Sequence, residues 1–159
     1  MKRVDAVIRE RLSSRVALVD QIGRYIVEAG GKRVRPRLLL LFAQALGYDG
    51  PDSHELAATV EFIHTATLLH DDVVDESSLR RGRATANALF GNAASVLVGD
   101  FLYSRAFQMM VSVNRMRVLE VLADATNVIA DAPPEIEDAC ANFGRSLGTA
   151  FQLIDDLLD

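Results

Sequence analysis

The sequence predicts an all-α bundle, and three observations carry that prediction. Apolar residues recur at three- and four-residue steps along most of the chain, no stretch alternates as a half-buried strand would, and no repeat of solenoid length appears. A chain of 159 residues, 50% of them apolar, is long enough for one core-bearing domain over 1–159.

The elements follow in order. Val4, Ile8, Leu12, Val16, Val19, Ile22 and Ile26 predict an amphipathic helix over 4–29, stopped by Gly30-Gly31. Pro36 suits a first helical turn, and 36–46 is apolar nearly all round, which predicts a central helix. Gly47 to Pro51 is a turn. Asp52 and Glu55 have capping-box spacing and open a helix running to Asp75. Residues 76–83 read as a polar loop, 84–90 as a short helix closed by Gly91, and 93–112 and 116–130 as two more helices. The run 96–113 is rich in large apolar residues, including Met109 and Met110, and serves as core or as a dimer face. The next join is unusual. Ala130 ends a helical pattern without a cap, and Asp131-Ala132-Pro133-Pro134 restarts one over 134–159.

Composition narrows the function. The net charge of −5 argues against wholesale nucleic-acid binding. A lone Cys140 excludes an internal disulfide and suits a reducing compartment, where it reads as a small buried residue. Charges recur through the first fifteen positions, unlike a signal peptide, and the uncharged stretch 38–48 is too short to span a bilayer. These features predict a cytoplasmic protein.

Chemistry concentrates in two DDxxD boxes, Asp71-Asp72-Val73-Val74-Asp75 and Asp155-Asp156-Leu157-Leu158-Asp159, each behind an apolar run. Residues four apart share a helix face, so Asp71 projects with Asp75, on a stripe with His64 and Leu68. Gln152, Asp155, Asp156 and Asp159 form a second face. Acidic boxes on apolar helices call for positive charge. Hard oxygens suit Mg²⁺ bridging carboxylates to phosphates, whereas one Cys and three His supply a soft-metal site poorly. A solvated helix end is the plain alternative for either box alone. Basic clusters sit nearby: Lys32, Arg33, Arg35 and Arg37 after the Gly-Gly break, and Arg80, Arg81 and Arg83 after the first box. Either could be mere surface. Beside the boxes they predict two diphosphates, one held through Mg²⁺ and one by Arg and Lys directly.

GGKRVRP (30–36), EFIHTATLLHDDVVDESSLRRGRATAN (61–87), VLVGDFLYSRAF (96–107) and GTAFQLIDDLLD (148–159) together resemble the motifs of trans-polyprenyl diphosphate synthases, in that family's order. The likeness is greatest to long-chain bacterial members. It implies an isoprenoid-synthase-type antiparallel helical bundle, incomplete in this chain, that condenses isopentenyl diphosphate with an allylic diphosphate such as farnesyl diphosphate. The implied product is a long all-trans polyprenyl diphosphate for quinone side chains. The resemblance implies that Lys32, Arg35, His64 and Arg81 bind isopentenyl diphosphate and that Arg80 touches the allylic diphosphate. It assigns Mg²⁺ to Asp71 and Asp75 with Asp72 in support, and to Asp155 with Asp156 and Asp159 assisting. Gln152 becomes a substrate-side polar residue. Ala66 and Thr67 take the positions that set chain length, and neither is aromatic, which predicts a long product. A homodimer, and contact with a membrane surface through the product, are further implications. Asp100 falls in a family-like segment and reads as a buried structural acid.

The chain also departs from that pattern. The Glu-Gly-Glu/Gln helix and the Lys-Thr pair that the family carries between the boxes are absent, and the 130/131 join is where they belong. This predicts an omitted segment at the join and truncation after 159, with catalysis impaired if the deletion is real. Two other readings remain: a non-catalytic partner subunit of a heteromeric synthase, and an HD-type phosphohydrolase built on His70-Asp71. Glu61-x-x-His64 also has the spacing of di-iron bundles, but its second copy is missing.

Overall fold

The computed structural model describes residues 1–28 and 31–130. They fall into two compact units, one ending at Arg115 and one starting at Met116. The last predicted helix, with Cys140 and the second box, lies outside the described residues.

The first unit contains α1 (Lys2–Leu12), α2 (Ala17–Glu28), α3 (Val34–Ala45) and α4 (Asp52–Val74). A two-stranded ribbon, β1 (Leu79–Arg80) and β2 (Arg83–Ala84), follows, and then α5 (Ala86–Phe90) and α6 (Asn92–Ser112). The second unit begins with α7 (Met116–Ala130), whose Arg117 pairs with Glu120 at 2.8 Å. No helix among the described residues is long and apolar enough to cross a membrane.

The predicted helix over 4–29 is two helices. The chain breaks at Ser13-Ser14: Ser13 takes an extended ψ of 128°, and the Val16 N–H donates to Ser14 Oγ at 3.1 Å. Serine hydroxyls compete in this way for backbone groups and interrupt helices. Arg105 Nη2 anchors the break by donating to the Ser13 carbonyl. The capping box is also absent. Pro51 occupies the N-cap, and Asp52 and Glu55 sit inside the first turn of α4, where their charges favour the positive helix end. Glu55 instead pairs with Arg11 at 2.8 Å.

The core lies where α4 meets α6. Val4 and Ile8 from α1, Ile22 from α2, Phe62, Ala66 and Leu69 from α4, and Val98, Leu102, Ala106 and Met109 from α6 form one buried cluster. Full burial of a Val, Leu, Ile or Met contributes about 1.5–3 kcal/mol. Small residues bring α4 and α6 together. Ser95 Oγ donates to the Leu69 carbonyl, and a Cβ on Gly99 would fall 2.3 Å from His70 Nε2. Along α6, Leu97, Phe107 and Val111 are exposed opposite the core, so the helix has both a core face and an apolar outer face. The central position expected of 36–46 is not observed. Only Pro36 of α3 is buried, while Leu41, Phe42 and Leu46 are exposed, because among the described elements α3 packs chiefly on α4.

Candidate functional site

A cavity of about 660 Å³ opens beside α4, between the start of α3 and the β1–β2 ribbon. Helix α4 lines it with Glu61, His64, Thr65, Leu68, Leu69 and Asp72. These positions follow the three- and four-residue steps of one helical stripe. The stripe through His64 and Leu68 therefore ends on Asp72 in the cavity wall, and neither Asp71 nor Asp75 lines it. Lys32, Arg33 and Arg35 enter from the segment before and inside α3, and Arg80, Arg81 and Arg83 from the ribbon. The two basic clusters, far apart in sequence, thus face one space. They approach closely: a Cβ on Gly31 would lie 3.2 Å from Arg81 Nη1, so the glycine leaves room for the guanidinium.

The ribbon turns through Arg81 (φ 53°) and Gly82 (φ 75°), with Arg80 opposite Arg83. Two successive left-handed residues make the tight turn whose twist suits a short hairpin. Local bonds fix the ribbon against its neighbours. Thr85 Oγ1 donates to the Ser77 carbonyl, and Asn87 Nδ2 donates to the carbonyls of Asp72 and Ser77. Tyr25 O–H donates to the Ala84 carbonyl at 2.6 Å, and the Arg83 guanidinium lies over the Tyr25 ring.

Among the described residues six cationic side chains line the cavity against two carboxylates, and both carboxylates are paired with arginines. Asp72 is 4% exposed and accepts from Arg80 Nε at 3.0 Å and Nη2 at 2.8 Å, both on Oδ1. Glu61 accepts from Arg33 Nη1 at 2.7 Å. Arg33 therefore turns inward. Burial and then the neighbouring charges of Arg35, Arg81 and Arg80 push the His64 pKa down to about 4, so its imidazole is neutral at pH 7. Desolvation lowers the Arg35 pKa too, with Glu61 opposing and Arg81 reinforcing the shift. A field that discourages protonation of His64 favours an anion. Arginine forks and a lysine fit phosphate oxygens, and the apolar Leu68 and Leu69 beside them suit a hydrocarbon.

The last turn of α4 holds the first box. Asp71 and Asp75 are exposed, one turn apart, and no basic residue occupies that turn. Carboxylates at the negative end of a helix are unfavourable unless a cation compensates. Their hard oxygens, with water completing the shell, fit a hard divalent cation and misfit a soft one. Among the described residues no group of three or more His, Cys, Asp or Glu could hold a metal, so the first box supplies only part of a donor set. The predicted complement, Gln152, Asp155, Asp156 and Asp159, lies outside the described residues. His70 faces Asp100 Oδ1 at 3.3 Å and the Val96 carbonyl at 3.4 Å, and among the described residues it joins no group that could hold a metal. Asp100 is itself exposed, at 68% of its side chain, so its reading as a buried acid is corrected. Ala66 is fully buried in the core and Thr67 Oγ1 donates to the His64 carbonyl; neither lines the cavity.

Sequence reasoning missed Tyr25, Thr85 and Asn87, and it read Glu61 only as half of a di-iron spacing, not as the partner of Arg33 in the cavity wall. Tyr25 and Glu61 carry ordinary core spacing, and only Thr85-x-Asn87, two small polar residues opening a helix behind a loop, offered a local signal.

Comparison with known proteins follows the same lines. The family model for polyprenyl synthetase matches residues 16–132. The octaprenyl diphosphate synthase of Escherichia coli is 50% identical, covering 100% of this chain and 62% of its own length. The Haemophilus influenzae enzyme of that name is 46% identical, again over 100% of this chain and 61% of its own. The alignment to the Escherichia coli relative runs over 202 positions against the 159 residues of this chain. A decaprenyl diphosphate synthase from Rhodobacter capsulatus superposes with a TM-score of 0.78 at 58% identity, covering 82% of this chain and 41% of that one. A Caulobacter crescentus polyprenyl synthase, solved with calcium and isoprenyl diphosphate, gives 0.78 at 52% identity over 80% and 39%. The chain thus spans about three-fifths of the length of these sequence relatives, and it belongs to the polyprenyl synthetase family.

Proposed function

We propose that the protein condenses isopentenyl diphosphate with an allylic diphosphate, farnesyl diphosphate being the expected primer, into a long all-trans polyprenyl diphosphate of the kind used for quinone side chains. The single observation that supports this most is the cation-lined cavity directly beside the exposed Asp71 and Asp75. The names of the long-chain relatives point the same way.

In this reading Lys32, Arg35 and Arg81 hold the diphosphate of isopentenyl diphosphate, and neutral His64 donates one hydrogen bond to it. Arg80, oriented by Asp72, reaches the allylic diphosphate. Asp71 and Asp75 would hold Mg²⁺ with Asp155 and Asp159, Asp156 assisting and Gln152 facing substrate. Bound there, Mg²⁺ would neutralise charge growing on the leaving diphosphate. The allylic C–O bond breaks, the double bond of isopentenyl diphosphate attacks the resulting cation, and the departing diphosphate takes the proton. The protein's residues contribute fixed positive charge and exclusion of water, which would quench the cation. Ala66 and Thr67 set product length. The protein acts as a homodimer in the cytoplasm, meeting membranes through its product.

In this reading a segment is omitted at the 130/131 join, which the longer alignment span of the relatives supports. The second reading is a non-catalytic subunit of a heteromeric synthase. Purified protein incubated with isopentenyl and farnesyl diphosphates and Mg²⁺ separates the two. Polyprenyl product from the protein alone supports the first reading, and product only after a partner chain is added supports the second. Inserting the relatives' intervening residues at 130/131 should raise activity; no gain would place the defect elsewhere.

A further inference from the structure

We propose that Arg33 is a positioning residue: by neutralising Glu61 it keeps Arg35 directed at a diphosphate in the cavity. The proposal rests on the diphosphate reading of that cavity given above.

Arg33 sits in a basic run, yet it is not disposed as a ligand. Its side chain is 16% exposed, and each of its nitrogens faces a protein oxygen. Nη1 donates to Glu61 Oε1 at 2.7 Å, Nη2 to the Val27 carbonyl at 3.4 Å, and Nε lies 3.9 Å from Asp5 Oδ1. Its backbone is left-handed, with φ 48°, at the N-cap of α3, where a non-glycine residue persists only when its surroundings over-determine it. The pair with Glu61 supplies that constraint, and the next residues, Val34 and Arg35, start the helix from it.

Glu61 is the reason such a device is needed. It is 9% exposed, lines the cavity, and exerts its charge on Arg35. A buried carboxylate without a partner is costly and seeks the nearest cation. With Arg33 in place the Glu61 charge is satisfied from the core side. Without it Arg35 is the cation at hand, and an arginine bonded to Glu61 presents fewer donors to phosphate. Arg33 therefore acts on the ligand through Glu61 and Arg35, with no contact of its own.

Inorganic pyrophosphate, without metal, is titrated calorimetrically into the full chain and its variants, and His64 is titrated by NMR in the ligand-free proteins. Arg33→Met weakens pyrophosphate on the order of tenfold, the loss of one charge-assisted contact. It also raises the pH at which His64 titrates, because Glu61 then cancels the Arg35 charge at the imidazole. Arg33→Met combined with Glu61→Gln restores both values to those of the parent. Failure of the folded double variant to recover overturns the proposal and makes Arg33 a direct ligand. If Arg33→Met does not fold, Glu61→Gln alone decides: binding at least as tight as the parent's is required, and weaker binding refutes the proposal. A parent chain that binds no pyrophosphate overturns the diphosphate reading instead. The His64 titration then still decides, since an unchanged value in Arg33→Met would sink the role of Arg33.

Discussion

The aspartates of the first box should respond to neutralisation with opposite signs. Asp72 is 4% exposed and fixes Arg80 through two hydrogen bonds to one oxygen. Asp72→Asn keeps the shape and removes the charge. The guanidinium is 40% exposed and can recover water, so the cost falls below the 3–5 kcal/mol typical of a fully buried pair, at about 1.5–3 kcal/mol. Asp75 is exposed and caps the C-terminal end of a 23-residue helix with no basic residue in its last turn. Asp75→Asn removes a charge from the negative helix end and stabilises the metal-free protein by about 0.3–1 kcal/mol. The two variants should therefore differ by about 2–4 kcal/mol in urea unfolding with EDTA present. With Mn²⁺ in excess the parent gains stability by mass action and Asp75→Asn gains less. Shifts of the same sign and similar size in EDTA would falsify the distinction drawn between an inward, ion-paired Asp72 and an outward Asp75.

Three further outcomes are expected. Gly99→Ala places a Cβ 2.3 Å from His70 Nε2 and displaces the ring from Asp100, costing about 1–3 kcal/mol in chemical denaturation; His70→Ala in the same chain should recover most of it, and a neutral Gly99→Ala would contradict the packing. His64 titrates at about 4 when folded, below its unfolded value, so its contribution is fully present above pH 6.5 and is lost as pH falls through 4. Allowing for solvent screening, the loss is about 1.5–3 kcal/mol; His64→Asn should flatten this part of the pH–stability curve, and an unchanged slope would refute the assignment. Ala66→Tyr should shorten the polyprenyl product on chromatography while also destabilising the packed core by about 1–3 kcal/mol, and unchanged product length would remove Ala66 from the chain-length role.

The helices were legible because their apolar spacing is long and regular, and α4 through α7 begin and end within a few residues of their predicted bounds. What escaped depends on interactions that spacing does not encode. Val16 continues the apolar rhythm across Ser13-Ser14, yet hydroxyl–backbone bonding breaks the helix there. Arg81 gives no sign of a left-handed backbone beyond the glycine that follows it. The composition of 36–46 predicts burial, but burial is set by what packs on α3, and Leu41 and Phe42 remain exposed among the described residues. At the site, charge placed each basic cluster near a carboxylate box, and it was the family resemblance that grouped Lys32 and Arg35 with Arg81. The inward turn of Arg33 was not legible, because it depends on Glu61 arriving from a different helix.

The bonds from Asn87 Nδ2 to the Asp72 and Ser77 carbonyls join the end of α4 to the base of the ribbon. With the two Arg80–Asp72 bonds they tie the carboxylate end of the site to its arginine arm, and Asn87 is the uncharged part of that tie. Retuning the loop over 76–84 for a different substrate would also displace the acidic end. Independent adjustment of cation affinity and diphosphate affinity would first require cutting that tie, and Asn87 is where an engineer would cut it.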